Sequence, residues 1–223
     1  MRIKYWVLSH STSCSKIYMD WLRNYRVLLV ANTSKAWSSR KIREEIQFLD
    51  WDFRKAKYNF WDIAYKHLLL TREIRPRLVM APDIMHNDTE EKIRRKLEYI
   101  DKLMKYVDRV VIPIHKYSKL LKDYELGYPN SPSFSPENAF WVYEIQDQVT
   151  HLLGGSPHRQ AMMLKYFPNV KSLDGNTIFR AAVSYGKIWY PEKPHWRRPK
   201  KYLGYAEIFR RSALNVIKFW RLR

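Results

Sequence analysis

The sequence of 223 residues is poor in cysteine, glycine and acidic residues, and each shortage excludes a class of protein. Its single cysteine, Cys14, excludes an intrachain disulfide and any zinc site built on several cysteines. Cys14 lies in the Ser/Thr-rich stretch 9–15, so we interpret it as a loop thiol without a role. This use of cysteine fits a reducing compartment such as the cytoplasm.

Long hydrophobic runs are also missing. No apolar stretch approaches the roughly 20 residues needed to span a bilayer, so we expect no membrane partner. Residues 1–10 are too mixed for a secretory signal, which needs about 7–15 apolar residues in a row. We therefore predict a strand at this end and a cytoplasmic location.

Acidic residues number 22 against 41 lysines and arginines, which gives a net charge of +19. A field of this sign attracts polyanions and speeds their encounter with the protein. Nucleic acid is therefore the expected partner, although general solubility or the charge habit of a basic proteome would explain the same balance. The chain also has 16 tyrosines, 9 tryptophans and 9 phenylalanines, so we expect a large core rather than disorder.

Apolar runs alternate with amphipathic stretches along the chain. Eight runs are typical of buried strands, at about 3–9, 27–31, 46–50, 77–82, 109–114, 124–128, 149–154 and 170–174. This alternation indicates parallel strands joined by crossover helices. We predict an α/β fold, a single (β/α)8 barrel of the TIM type over 1–223, with a C-terminal helix at 204–220. An open doubly wound sheet is the alternative.

Helix start signals follow several of these strands. The clearest helix is predicted over 88–107, with Asp88 as its N-cap. Four further starts are predicted from capping residues or from proline in the first turn, at Asn59, Ser135, Ser156 and Asn176.

Three aspartates follow predicted strands, namely Asp50, Asp83 and Asp174. Since the carboxyl ends of barrel strands meet at one mouth, where catalytic residues collect, we expect these carboxylates to lie together. A carboxylate that attacks the anomeric carbon of a sugar forms a covalent intermediate, while a second carboxyl group handles protons. Asp174 is the candidate nucleophile, because Asn176 is better placed to cap the next helix, and Asp50 is the candidate helper. Asp83 can accept hydrogen bonds from the donor edge of a purine.

Glycine is scarce, with 6 residues, yet Gly154 and Gly155 are adjacent. Paired glycines at a strand end let a planar ligand approach the backbone, and a tight strand-to-helix turn is the alternative. His115 ends a strand and either binds a ligand or satisfies the strand terminus. No cluster has metal-ligand spacing, and no phosphate loop or dinucleotide fingerprint is present, so we predict neither a metal nor a cofactor.

The segment 191–201 contains three prolines, an aromatic residue and several cations. We expect it to be extended and exposed, and its mixture of residues is typical of an arm that contacts nucleic acid. A solvated connection to the last helix is the alternative. The candidate contacts are Trp196, Arg197, Arg198, Lys200 and Lys201.

Four places between about 45 and 190 together resemble the tRNA-guanine transglycosylase superfamily, including its small viral and phage relatives that act on 7-deazaguanines. The matching segments are 48–53, 81–83 with 108–114, 151–155, and 172–174 with Arg180 and the residues after it. The resemblance implies that Asp50 handles protons and that Asp174 is the nucleophile. It also implies that Asp83, His115 and the backbone of 151–155 hold the base, and Arg180 is a candidate contact to nucleic acid.

The chain departs from this family at two points. Trp51 and Asp52 stand in place of the family's paired glycines, and one cysteine excludes the zinc site of its tRNA-modifying members. The resemblance therefore implies exchange of guanine for a 7-deazaguanine in DNA or RNA, in the host cytoplasm if the protein is viral. A non-catalytic nucleic-acid-binding protein on the same barrel is one alternative, and an enzyme acting on a small phosphorylated substrate is another. The oligomeric state stays open.

Overall fold

The computed structural model describes residues 3–9, 22, 24–130 and 142–222. Eight parallel strands form a closed barrel in chain order, which confirms the predicted fold. The strands are β1 (Tyr5–Ser9), β2 (Val27–Asn32), β3 (Phe48–Asp50), β4 (Leu78–Met80), β5 (Val110–Pro113), β6 (Glu125–Pro129), β7 (Val149–Leu153) and β8 (Ser172–Asp174). The pairing of β1 with β8, which sets Trp6 opposite Leu173, closes the barrel.

Helices cover the outside of the barrel. They are α1 (Thr33–Ser38), α2 (Phe53–Ala56), α3 (Phe60–Ile74), α4 (Glu90–Met104), α5 (Val142–Ile145), α6 (Pro157–Met163), α7 (Thr177–Tyr185) and α8 (Tyr205–Trp220). Short 3-10 turns lie at Arg40–Glu45 and Lys119–Leu121. An antiparallel hairpin, β9 (Ile188–Trp189) and β10 (Trp196–Arg197), lies between α7 and α8. Within the described ranges, no helix is long and apolar enough to cross a membrane.

The strands bury side chains on both faces. Inside the barrel, Val7, Phe48 and Met80 belong to a small apolar cluster. Residues of alternate parity, such as Leu49 and Val79, belong to the larger core between the strands and the helices. Burial on both faces explains why the strands appear in the sequence as nearly continuous apolar runs.

One irregularity changes which side chains face the barrel interior. Leu126 and Gly127 are consecutive on β6, but their partners on β7 are Val149 and His151. Thr150 is therefore an extra residue on β7, which makes this point a β-bulge. Bulges re-aim side chains, and here two consecutive residues of β7 contact interior groups.

Polar side chains at the amino-terminal end of the barrel, which we call the base, surround Glu125. Arg109 donates two hydrogen bonds to Oε2 of Glu125, at 3.0 and 2.8 Å, and Thr150 donates one at 2.7 Å. Nζ of Lys171 lies 3.2 Å from Oε1. Partial burial pushes the pKa of Glu125 upward, but hydrogen bonds from Arg109, Thr150 and Lys171 and the charge of Arg109 outweigh it, so the pKa is lowered.

Most predicted helix starts are confirmed where the structure describes them. Asn59 caps α3, with its side chain accepting from the backbone N–H of Asp62. Ser156 and Asn176 occupy the N-cap positions of α6 and α7, although neither side chain makes a capping hydrogen bond. Cys14 and the predicted start at Ser135 lie outside the described residues.

The predicted cap of α4 is wrong by one residue. Its N-cap is Thr89, whose hydroxyl accepts a hydrogen bond from the backbone N–H of Lys92. Asp88 instead accepts from the backbone N–H of Met85 at 2.8 Å. A turn that precedes the helix therefore holds Asp88 outside it.

Candidate active site

Three carboxylates gather at the carboxyl-terminal end of the barrel, which we call the mouth. Asp50 is the last residue of β3, Asp174 is the last residue of β8, and Asp83 follows the end of β4. Desolvation of the Asp50 carboxyl, and then the negative charges of Asp174 and Asp83, raise the pKa of Asp50 well above its ordinary value. The structure thus brings the three predicted aspartates into one electrostatic cluster. Asp50 as a residue is only half-buried, so solvent still reaches this cluster.

Asp174 is held by the backbone at the exit of β7. The N–H of Gly154 donates a short hydrogen bond to Oδ1 of Asp174. Nε2 of His151 lies 3.7 Å from Oδ2, which is beyond hydrogen-bond length. One carboxylate oxygen is therefore fixed, and the other lies near the imidazole of His151.

His151 lies fully buried behind Asp174. Its Nδ1 is 2.8 Å from Oγ of Ser172, and its ring stacks on Phe48 with centroids 5.9 Å apart. Among the described residues, Nε2 of His151 has no hydrogen-bond partner. Sequence reasoning assigned a function only to the backbone here, because the bulge that turns this side chain inward leaves no trace in the hydrophobic pattern.

Gly154 and Gly155 both adopt left-handed backbone, with φ of +70° and +85°, a conformation that favours glycine. A Cβ on Gly155 would lie 2.7 Å from Nδ2 of Asn130, whereas a Cβ on Gly154 would meet nothing within 4 Å. Gly154 therefore faces open space while its N–H holds Asp174. This is the geometry expected of a backbone that a flat ligand approaches.

Two side chains that sequence reasoning missed tie the exits of β7 and β8 together. Nε2 of the buried Gln160 donates to the backbone oxygens of Gly154 at 3.0 Å and of Asp174 at 2.5 Å. Oγ1 of Thr177 donates to the backbone oxygen of Gly155 at 2.9 Å. Neither residue belongs to a motif, so no signal in a single sequence would have found them.

Asp83 and His115 also come together, as Nε2 of His115 lies 3.3 Å from Oδ2 of Asp83. Lys96 of α4 supports them from behind. Its Nζ donates to the backbone oxygen of Asp83 at 2.6 Å and to Oδ2 of Asp88 at 2.5 Å. The sequence does not reveal this contact, because Lys96 lies in an ordinary amphipathic helix.

Trp51 and Asp52, which stand where the resemblance to the transglycosylases would place glycines, both make structural contacts. Trp51 is buried against the rings of Phe60, His67 and Tyr99, outside the barrel. Asp52 is the N-cap of α2. Trp51 therefore leaves the mouth open, and Asp52 has its carboxylate engaged in the start of a helix.

The basic segment 191–201 folds back as part of the β9–β10 hairpin and does not project as a separate arm, while its residues are exposed or half-buried, as expected. Trp196 is half-buried against the core. The guanidinium of Arg197 lies 4.8 Å from the ring centroid of Tyr190 and donates to backbone oxygens of the hairpin turn. These contacts stabilise the hairpin itself. The exposed cations among the predicted nucleic-acid contacts are Arg180, Arg198, Lys200 and Lys201.

A stack of rings joins this hairpin to the mouth. The ring of His195 lies parallel to that of His158, with centroids 4.3 Å apart, and is also stacked with Trp189. His158 lies in the first turn of α6, three residues after Gly155. Burial, and then the charges of His195 and Lys193, lower the pKa of His158. The hairpin is therefore positioned next to the glycine turn.

Within the part of the chain that the structure describes, no group of three or more His, Cys, Asp or Glu side chains could hold a metal ion. A family profile described as a family of unknown function (DUF6610) matches residues 30–221. The chain belongs to this family. The matched region includes Asp50, Asp83 and Asp174, and no curated protein matches the chain. Membership therefore assigns no activity, and the function has to be argued from the site.

Proposed function

We propose that this protein is a base-exchanging pentosyltransferase of the tRNA-guanine transglycosylase type, which replaces guanine in a polynucleotide with a 7-deazaguanine. The observation that carries the proposal is the presence of two carboxyl groups in unlike surroundings at one mouth. The raised pKa of Asp50 suits a group that holds a proton and transfers it. Asp174, whose Oδ1 is held by an N–H donor while Oδ2 makes no hydrogen bond to His151, suits a nucleophile. Environments that differ in this way divide acid and nucleophile roles between two carboxyl groups.

In the first half-reaction, a carboxylate oxygen of Asp174 attacks C1′ of a guanosine residue. The C1′–N9 bond breaks, and its electron pair leaves with guanine, which takes the proton from Asp50. In the second half-reaction, Asp50 removes the proton from N9 of the incoming 7-deazaguanine. N9 then attacks C1′, and Asp174 leaves as a carboxylate. Both aspartates return to their starting states, so the two steps balance without a further reactant.

The remaining mouth residues suit recognition of the base. The carboxylate of Asp83 can accept from the N–H-rich edge of a guanine-like base, with His115 beside it. The open backbone at Gly154 can lie against the flat face of the ring. A base held at this place would have its N9 directed toward the sugar between Asp50 and Asp174.

The net charge of +19 supports a polynucleotide substrate rather than a free nucleoside. The target nucleotide has to leave its stack to reach the mouth, which costs a few kcal/mol in a duplex and less in a single strand. Arg180, Arg198, Lys200 and Lys201 are exposed on the β8 side of the barrel and can contact phosphates.

The test is formation of a covalent adduct with guanine-containing DNA and RNA oligonucleotides, detected on denaturing gels and released by added 7-deazaguanine. Asp174→Asn is expected to abolish the adduct while binding remains. Asp147→Asn is the matched control, because it changes an exposed aspartate near the amino-terminal end of the barrel, away from the mouth. A wild-type yield of adduct is expected for this variant. An adduct of undiminished yield in Asp174→Asn would reject the assignment.

Asp52 favours a second candidate, a non-catalytic nucleic-acid-binding protein on the same barrel. This aspartate caps a helix where the enzyme family has a glycine, so the proton-handling element is altered. Such a protein would bind polynucleotides with a steep dependence on salt concentration and release no guanine. Labelled guanine in oligonucleotides separates the two candidates, because only the enzyme liberates the label.

A further inference from the structure

A group of exposed aromatic side chains lies on the β3 side of the barrel, and we call Phe53, Tyr58, Trp61 and Tyr65 the aromatic platform. The side chains of Tyr58, Trp61 and Tyr65 are 87%, 64% and 62% exposed, and Phe53 is half exposed. Rings that are exposed to this degree contribute little to the core. Clusters of exposed apolar groups mark places where a partner binds.

Chain connectivity places the platform at the mouth. Asp50 ends β3, and Phe53 begins α2 three positions later. Helix α3 begins at Phe60 and leads back toward the base, where β4 starts. Trp61 therefore lies at the level of the mouth, and Tyr65 lies one turn further along the same face of the helix.

Cations alternate with these rings. Arg54, Lys55 and Lys57 precede Tyr58, and Lys66 follows Tyr65. The single acidic residue of the segment 53–66 is Asp62, which pairs with Lys66 at 2.6 Å. Basic groups among exposed ring faces are the combination that binds single-stranded nucleic acid, because bases stack on the rings and phosphates lie near the cations.

The basic surface continues along α3 away from the mouth. Nζ of Lys66 and the guanidinium of Arg43 lie 5.9 and 5.8 Å from the ring centroid of Trp37. Next to this ring is a surface groove of about 520 Å³, lined by Trp37, Arg40, Arg43, Leu69, Arg72 and Glu73. Its single acid, Glu73, is paired with Arg43 at 2.8 Å, so the groove keeps a net positive charge.

We propose that the aromatic platform and this groove bind the single-stranded stretch of polynucleotide that flanks the target nucleotide. This inference rests on the proposed function for the identity of the nucleic acid. Successive bases stack on Tyr58, Trp61 and Tyr65, and the backbone continues into the groove. A duplex hides the faces of its bases, so exposed rings select unpaired ones. The exposed cations on the β8 side lie across β1 and β2 from the platform, so a strand that crosses the mouth reaches both surfaces.

The test compares two double variants, each of which removes two exposed tyrosines. Tyr58→Ala with Tyr65→Ala changes the platform. Tyr143→Ala with Tyr166→Ala removes side chains that are 70% and 51% exposed and precede the starts of β7 and β8 near the base. The probes are labelled DNA and RNA single strands of about 12 nucleotides, the length that such surfaces bind. Fluorescence anisotropy is expected to show at least tenfold weaker binding for the platform variant and less than twofold for the control.

The probes contain no guanine, so binding is measured apart from any chemistry. If the wild-type protein exchanges no base in guanine-containing oligonucleotides, the proposed function is rejected, but the platform assignment still stands. Equal affinities of the two double variants, or tighter binding of a duplex than of a single strand, would overturn the platform assignment. An oligomer that dissociates in Tyr58→Ala with Tyr65→Ala would also overturn it, because the platform would then join copies of the chain.

A second measurement uses the wild-type protein alone, so its result does not depend on whether a variant folds. Single strands that carry 5-iodouracil are crosslinked to the wild-type protein by light, and the modified peptide is identified by mass spectrometry. Crosslinks on 58–66 are expected. Crosslinks confined to 180–201 would overturn the platform assignment.

Discussion

The pKa values of carboxyl groups at the base and at the mouth of this barrel are shifted in opposite directions. At the base, Glu125 receives hydrogen bonds from Arg109 and Lys171, and its pKa is lowered. At the mouth, the pKa of Asp50 is raised by desolvation and then chiefly by the charges of Asp174 and Asp83. Like charges held together cost stability, and perturbed groups of this kind cluster at functional sites. Under the proposed function, this difference divides the barrel into a base that contributes stability and a mouth where the exchange takes place.

The largest effect is expected for Asp50→Asn, which leaves the mouth without its transferable proton. Base exchange should fall by at least about 10³-fold, which corresponds to roughly 4 kcal/mol in the barrier. The same substitution should stabilise the fold by about 1 kcal/mol near neutral pH, or about 2–4 °C in Tm. Single-turnover rates and thermal unfolding measure the two effects.

The gain in stability should depend on pH in a defined direction. Because the folded-state pKa of Asp50 is raised, the folded protein holds this proton more tightly than the unfolded chain does. The wild type therefore loses stability as the pH rises from the unfolded pKa, about 3.9, through the folded one, and the variant does not. A difference in Tm that stays constant from pH 4 to 8 would contradict the raised pKa.

Arg109→Met tests how much the ion network around Glu125, at the amino-terminal end of the barrel, contributes to stability. Among the described residues, the substitution leaves half-buried Glu125 with Lys171 and Thr150 as partners. We therefore expect a loss of about 2 kcal/mol in the free energy of unfolding, measured in urea. The loss should shrink as the pH falls through the pKa of Glu125, since the protonated side chain needs no cation. Exchange activity should be unchanged where both proteins are folded.

Arg94→Met is the matched control for the base, because Arg94 pairs with Glu90 at 3.8 Å on an exposed surface. Exposed pairs of this kind contribute about 0–1 kcal/mol. Equal losses in the free energy of unfolding for Arg109→Met and Arg94→Met would show that the network around Glu125 stabilises the fold no more than an exposed ion pair does.

The paired glycines separate stability from binding within the mouth. Gly155→Ala should destabilise the fold by roughly 2 kcal/mol, since the new methyl group meets Asn130 at a positive φ. Gly154→Ala carries only the conformational cost, about 1 kcal/mol, but its methyl group enters the space proposed for the base. We expect Gly154→Ala to raise KM for the incoming 7-deazaguanine more than Gly155→Ala does. The reverse order of the two KM values would show that the nucleobase does not bind against Gly154.

A smaller effect on base exchange than that of Asp50→Asn is expected for Lys96→Met, which frees the backbone of Asp83. KM for the incoming base should rise about tenfold, or about 1.4 kcal/mol, with kcat less affected. Lys92→Met changes an exposed lysine of the same helix and is the control. A tenfold loss in both variants would indicate an effect of charge alone.

The barrel could be predicted from the sequence because its strands are buried on both faces and therefore appear as apolar runs. The meeting of Asp50, Asp83 and Asp174 followed from that fold, since all three come at the carboxyl ends of strands. Their roles in chemistry stay a prediction.

Contacts between distant segments could not be predicted in this way. Gln160 and Lys96 reach the site through side chains on helices whose sequences have no distinguishing pattern. The contacts of the hairpin could not be predicted either, because prolines and cations indicate exposure alone, whereas Arg197 folds over Tyr190 and Trp196 packs against the core. The cap of α4 was misplaced because Asp88 and Thr89 are both good capping residues.

The extra residue in β7 links the two ends of the barrel through adjacent positions of one strand. Thr150 belongs to the ion network around Glu125, and His151 lies against Asp174. Deletion of Thr150 would restore the regular alternation of β7 and leave one inward position in place of two. The inserted residue is therefore what allows one strand to contribute both to the ion network around Glu125 and to the surroundings of Asp174.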